Sequence, residues 1–215
     1  MDQLNTIKIL TFGDSLTQGN PPPEFRHGNP GKFQSFMYAR LVEFGLNNID
    51  IHNHGIGGQL MHQIVGRIEP ALNATPKASI IVLMGGTNDI WHFGMAAPDI
   101  ETDIADDILF NLEKAINVTK KAKVTIMVCT IPPFGDVSSL DISIIQMVNA
   151  INEKIINYCN SYNVPICDVN NFMKIDNEFK FAKSSYVLND GVHFTSEGNK
   201  ACGECIANCL KKLLQ

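Results

Sequence analysis

Ile7-Lys8-Ile9-Leu10-Thr11-Phe12-Gly13-Asp14-Ser15-Leu16 joins a short apolar run to a glycine, a carboxylate and a serine. A run this short and rich in Ile, Leu and Phe, closed by glycine, reads as a buried strand. The serine that follows then falls where open α/β sheets carry their reactive crevice, just beyond the carboxyl ends of the strands. Ser15 is therefore a candidate nucleophile, although a phosphate-binding turn has the same local outline.

Further along, four more runs read as strands: Ile49 to Asn53, Ser79 to Met84, Lys123 to Thr130 and Val164 to Val169. Between them, Phe33 to Phe44, Leu60 to Leu72, Ile104 to Lys121 and Ile142 to Tyr162 carry helical periodicity. A last helix is expected from Ser196 to Leu214, with Thr195 as its cap. Parallel strands need long, right-handed and usually helical crossovers, so this alternation predicts a mostly parallel sheet of about five strands between two helical layers. One domain, residues 1–215, is expected. The proline-rich stretch Asn20 to Gly31 interrupts the first crossover and reads as a lid or substrate loop rather than a boundary.

Composition narrows the function classes. The chain has 215 residues, 45% hydrophobic and 18% charged, with a net charge of −5. That balance suits one ordinary core and opposes nucleic-acid binding, which favours basic domains with pI above about 9. No apolar stretch approaches the roughly 18 residues of a membrane span. Met1 to Thr6 lacks a basic leader, so a cytoplasmic location is expected. The six cysteines are expected to be reduced, core-facing thiols, since their spacing lacks a finger-like ligand pattern. No cofactor and no metal are expected.

A serine hydroxyl needs a positioned base, and near neutral pH the natural one is a histidine oriented by a carboxylate. Asp190-Gly191-Val192-His193 supplies both groups three residues apart. An attacked carbonyl also needs donors for the oxygen that becomes negative. Asn53-His54-Gly55-Ile56-Gly57-Gly58 follows the second run, and its glycines let backbone N–H groups approach a substrate. Gly85-Gly86-Thr87-Asn88-Asp89 follows the third, where the Asn88 amide is a second candidate donor and Asp89 is assigned to loop support. Taken alone, Asn88 reads more readily as a helix cap or an Asx turn.

These four blocks, in this order and spanning almost the whole chain, resemble the GDSL esterases and lipases of the SGNH hydrolase superfamily. The resemblance implies a flavodoxin-like α/β/α fold, with Ser15 as nucleophile, His193 as base and acid, and Asp190 orienting the ring. It implies an oxyanion hole of the Ser15 N–H, the Gly58 N–H and the Asn88 side chain, with Gly57 as the alternative to Gly58. The chemistry implied is hydrolysis of a small acyl or O-acetyl ester through an acyl-serine, with activity falling as pH drops through a histidine pKa whose reference value is about 6.5. Lysophospholipids and thioesters are alternative substrates for the same site.

Asp14, Trp91, Phe93 and Phe134 are expected to line the substrate pocket. His52 and His54 share a strand face without a recognisable ligand set, so polar packing is expected of them rather than metal binding. The competing reading of another class is a non-catalytic flavodoxin-like binding module, which leaves Asp190 and His193 without a task. The partner is expected to be a small ester. Sequence assigns no oligomeric state.

Overall fold

The structure is a computed structural model that describes residues 6–18, 33–75, 77–94, 101–137, 140–175 and 181–215. Five parallel strands form one sheet in the order β2-β1-β3-β4-β5: β1 Ile7–Gly13, β2 Ile49–Gly55, β3 Ala78–Met84, β4 Thr125–Cys129 and β5 Ile166–Cys167. β1 and β3 are central and buried on both faces, which is why they read as continuous apolar runs rather than alternating ones. This is the flavodoxin-like α/β arrangement expected from the strand–helix alternation, and it has a topological switch point at β1.

Register decides where the chemistry falls. Gly13 pairs with Gly55 on one side and with Met84 on the other, so three strands end level. The segments that leave them therefore emerge side by side at one edge. Gly13 must be glycine because a Cβ there would collide with the Thr17 side chain and the Met84 carbonyl.

The helices are α1 Ser15–Gln18, α2 Phe33–Glu43, α3 Met61–Gly66, α4 Ile68–Ala74, α5 Thr87–Asp89, α6 Glu101–Ala122, α7 Ile142–Ser161, α8 Val169–Met173 and α9 Ser196–Leu214. A π-turn over Ile90–Gly94 follows α5. α2 packs on α9 over one face of the sheet, while α3 and α4 meet α6, and α6 meets α7, over the other. Buried residues of both layers join in a single apolar cluster that includes Ile9, Leu10, Phe12, Ile81, Leu83 and Met127. The long helices end as their sequences direct. α6 carries Glu101 and Asp103 in its first turn and Lys120 and Lys121 in its last, matching the helix dipole. The Thr195 hydroxyl accepts from Gly198 N–H at 3.1 Å, as expected of a cap.

Three expectations are corrected. The helix expected over Leu60 to Leu72 is broken into α3 and α4, because Pro70 has no N–H for the Gly66 carbonyl and its ring clashes there. β4 begins only at Thr125, after Lys123 adopts a left-handed φ of 57° that terminates α6. β5 is two residues long, confined between left-handed Asn163 and the donor-less Pro165 on one side and the start of α8 on the other. The expected lid at 20–31 lies outside the described residues. Among the described residues, no helix is long and apolar enough to cross a membrane.

Candidate active site

Ser15 opens α1, with Asp14 as its cap: Asp14 Oδ1 accepts the Leu16 N–H at 2.9 Å. The short helix is held at its other end by side chains. Gln34 Nε2 donates to the Thr17 carbonyl at 2.8 Å, and Asn53 Nδ2 to the Thr17 and Gln18 carbonyls at 3.1 and 3.2 Å. These bonds satisfy carbonyls that a helix end leaves without partners, and they fix the direction of Ser15.

His193 lies 178 residues away in sequence, yet its Nε2 is 3.0 Å from Ser15 Oγ. Its other ring nitrogen, Nδ1, is 2.8 Å from Asp190 Oδ2. Asp190 Oδ1 meanwhile accepts the Val192 and His193 backbone N–H groups, both at 2.9 Å. Left-handed Gly191, φ 73°, closes this turn. Partial burial pushes the Asp190 carboxyl up, but the hydrogen bonds from Val192, His193 and the His193 ring outweigh it and hold it below its ordinary value. The His193 and Asp190 side chains are 48% and 47% exposed, so solvent reaches them directly.

Beside Ser15 are the backbone donors. The Gly57 N–H is taken by Gln18 Oε1 at 2.5 Å. The Gly58 and Ser15 N–H groups have no acceptor among the described residues. Gly58 sits at φ 77°, a conformation that other residues rarely adopt. Asn88 lies in α5, and its Nδ2 donates to the Gln59 carbonyl at 3.0 Å.

Beneath these groups are two buried carboxylates. Asp89 accepts the Met61 N–H with both oxygens, at 3.3 and 3.0 Å, which ties α5 to the start of α3 and fits loop support. Burial pushes the Asp89 carboxyl up. Asp14 is 1% exposed, and its Oδ2 has no hydrogen-bond partner. Burial raises the Asp14 carboxyl to about 6, the Leu16 N–H opposing and the Asp89 charge adding.

Asp14 is thus a support under the nucleophile rather than a pocket wall, because the cap geometry turns its carboxylate inward. Phe134 is corrected likewise: it is 2% exposed and meets Trp91 edge to face at 6.1 Å. Trp91 is half-buried and Phe93 is 46% exposed, so these two present aromatic surface next to α5. His52 has a carboxylate neighbour, Asp50, with Nε2 and Oδ2 2.7 Å apart, while His54 stacks on Phe12 at 4.7 Å.

Sequence reasoning missed Arg67. The break between α3 and α4 leaves its guanidinium half-buried, donating to Gln59 Oε1 at 2.8 Å, the His54 carbonyl at 2.7 Å and the Gly13 carbonyl at 3.4 Å. Burial lowers its pKa from the ordinary arginine value. One fork thus holds the ends of β1 and β2 and the residue whose carbonyl Asn88 touches. The available signal was a lone cation between the buried apolar residues Val65 and Ile68.

An open parallel sheet with a serine, histidine and carboxylate in sequence at its carboxyl edge defines a class of α/β hydrolytic enzymes. The GDSL-like lipase/acylhydrolase family model matches residues 11–201, and the chain belongs to that family. Solved structures share the fold at low identity. An acetyl xylan esterase, AlAXEase, superposes with a TM-score of 0.72 at 20% identity, covering 97% of this chain and 100% of that one. Est24, a carbohydrate acetylesterase from Sinorhizobium meliloti, gives 0.65 at 17%, covering 97% and 100%. A GDSL-like lipase from Bacteroides thetaiotaomicron gives 0.69 at 18%, covering 96% and 88%. No curated protein matches the sequence.

Proposed function

We propose that this acylhydrolase is a serine esterase that cleaves small acyl esters, acetyl esters foremost, through an acyl-Ser15 intermediate. The observation that carries the reading is the continuous path from Ser15 Oγ through His193 to Asp190, at 3.0 and 2.8 Å.

Neutral His193 accepts the Ser15 proton at Nε2 as Oγ bonds to the ester carbonyl carbon. Asp190 keeps the other ring proton on Nδ1 and stabilises the imidazolium that forms. The carbonyl oxygen, now negative, takes hydrogen bonds from the Ser15 N–H, the Gly58 N–H and Asn88 Nδ2. Gly58 is the better donor than Gly57, whose N–H already serves Gln18. As the tetrahedral adduct collapses, the C–O bond to the alcohol breaks and His193 returns its proton to the leaving oxygen. A water then attacks the acyl-serine with the same ring as base, releasing the acid and restoring the hydroxyl.

Trp91 and Phe93 are assigned to the substrate wall. Two fold relatives are named as acetylesterases of carbohydrate substrates, and the half-exposed triad leaves room for a polar alcohol portion. The test is a panel of nitrophenyl acetate, butyrate and octanoate with wild type and Ser15→Ala. Turnover should fall with acyl length and vanish in the variant. Octanoate as the best substrate would overturn the small-acyl reading, and full activity in Ser15→Ala would overturn the nucleophile.

A further inference from the structure

On the far side of the sheet order from β1, five sulfurs gather between β4, β5 and α9. Cys129 ends β4 and is the register partner of Cys167 in β5, so adjacent parallel strands set the two side by side. Above them α9 carries Cys202, Cys205 and Cys209, of which the last two lie four residues apart on one helix face. Three of these side chains converge. The Sγ atoms of Cys167, Cys205 and Cys209 all lie within 4.8 Å of one another, with those of Cys167 and Cys205 3.5 Å apart. All are free thiols.

Those separations match what a shared ion requires. A cation about 2.3 Å from each of three sulfurs holds them about 4.0 Å apart in a plane, or about 3.8 Å apart at three corners of a tetrahedron. Small movements of the side chains bring the three thiols to either figure. Cys167 and Cys205 are buried while Cys209 is only partly so, which leaves an entry path at the end of the cluster. The donors are all soft sulfur, a set that selects thiophilic ions over Mg²⁺ or Ca²⁺. Ordinary core packing of cysteines needs no such convergence from a strand and a helix onto one point.

We infer that Cys167, Cys205 and Cys209 form a binding site for one thiophilic d10 cation, of the Zn(II) or Cu(I) kind. Binding replaces three S–H bonds with three S–metal bonds and releases three protons, with no change of oxidation state. The site is separate from the esterase centre: β5 lies three strand spacings from β1, about 14 Å across the sheet. Its role is structural, tying edge strand β5 to α9, and it departs from the expectation of core-facing thiols without a metal. Spacing within α9 alone shows two ligands, and the third comes from a strand that is distant in sequence.

The test uses the full reduced, metal-free chain, titrated anaerobically with Zn(II) against a chromophoric competitor, and in a parallel arm with Cu(I) supplied as its acetonitrile complex. One equivalent should bind per chain in at least one arm, with thiolate-to-metal charge-transfer absorption and a raised unfolding temperature. The arm that binds identifies the ion. Cys209→Ser and Cys205→Ser should each weaken binding by about 100-fold or more while ester turnover by the metal-free chain stays at the wild-type rate. Cys209, being partly exposed, supplies the variant least able to disturb folding. Absence of binding in both arms, unchanged affinity in both variants, or formation of a Cys167–Cys205 disulfide in place of metal uptake would overturn the site.

Discussion

Replacing Asp190 by asparagine tests the proton route more sharply than removing the side chain. Asp190 Oδ1 accepts two backbone N–H groups, from Val192 and His193, each at 2.9 Å. An asparagine must keep its carbonyl oxygen there, since an NH₂ group facing two donors would leave all of them unpaired. Its NH₂ then takes the place of Oδ2, 2.8 Å from His193 Nδ1. A donor at that point requires an unprotonated Nδ1, which moves the ring proton to Nε2, the nitrogen 3.0 Å from Ser15 Oγ. The ring then donates to the serine and is no longer its base. Such an inversion costs about 10,000-fold in turnover, or roughly 5 kcal/mol of transition-state stabilisation. Asp190→Ala leaves both tautomers accessible and water to replace the half-exposed carboxylate, so its loss should be nearer 100-fold. The fold keeps its hydrogen bonds in Asp190→Asn, so thermal unfolding should shift little. Steady-state kcat and KM on nitrophenyl acetate near neutral pH, with melting curves, measure both effects. Asparagine within about tenfold of wild type, or clearly more active than alanine, would show that Asp190 does not hold the proton on Nδ1.

Three further outcomes follow from neighbouring groups. Asn88→Ala should lower kcat by about 100- to 1000-fold with KM little changed, read from the same kinetics, because in the proposed mechanism its amide meets charge that exists only in the transition state. Arg67→Met strips donors from the His54 carbonyl and Gln59 Oε1; it should cost roughly 2–4 kcal/mol in urea unfolding and also reduce kcat, since Gln59 carries the carbonyl that orients Asn88. Asp14 gives a pH test with a definite sign. Its carboxyl is raised from 3.8 to about 6 in the folded chain, so the folded state binds the extra proton between those values. The group's contribution to stability is therefore greatest below about pH 4, declines as pH rises to about 6, and beyond that remains a cost of roughly 3 kcal/mol. Asp14→Asn should remove that slope, so the stability difference between variant and wild type should grow in the variant's favour from pH 4 to pH 7; an unchanged difference would count against the buried charge.

The parts of the fold legible in sequence were those with long periods and clear ends. α9 runs from Ser196 to Leu214 as expected, because an apolar face of five turns and a threonine cap leave little choice. The central strands were legible because burial on both faces makes their apolar runs continuous. α1, α5 and α8 were not, since helices of three to five residues are too short to show a period. Ser15, Asp190 and His193 could be named because each residue type is demanded by the chemistry. The supports could not: Gln18 on Gly57, Gln59 on Asn88 and Arg67 on three acceptors depend on strands ending level, which only the register reveals. The polar packing expected of His52 takes the form of a pair with Asp50, two residues away on the same strand face.

If His193 activates Ser15 as a nucleophile, its hydroxyl must attack an electrophilic phosphonate that an unactivated serine resists. Incubation with a fluorophosphonate followed by intact-mass analysis and peptide mapping tests it most directly. One adduct per chain is expected, on Ser15, absent in Ser15→Ala and formed far more slowly in His193→Ala. No adduct in the wild type, or equal labelling of the wild type and Ser15→Ala, would contradict it.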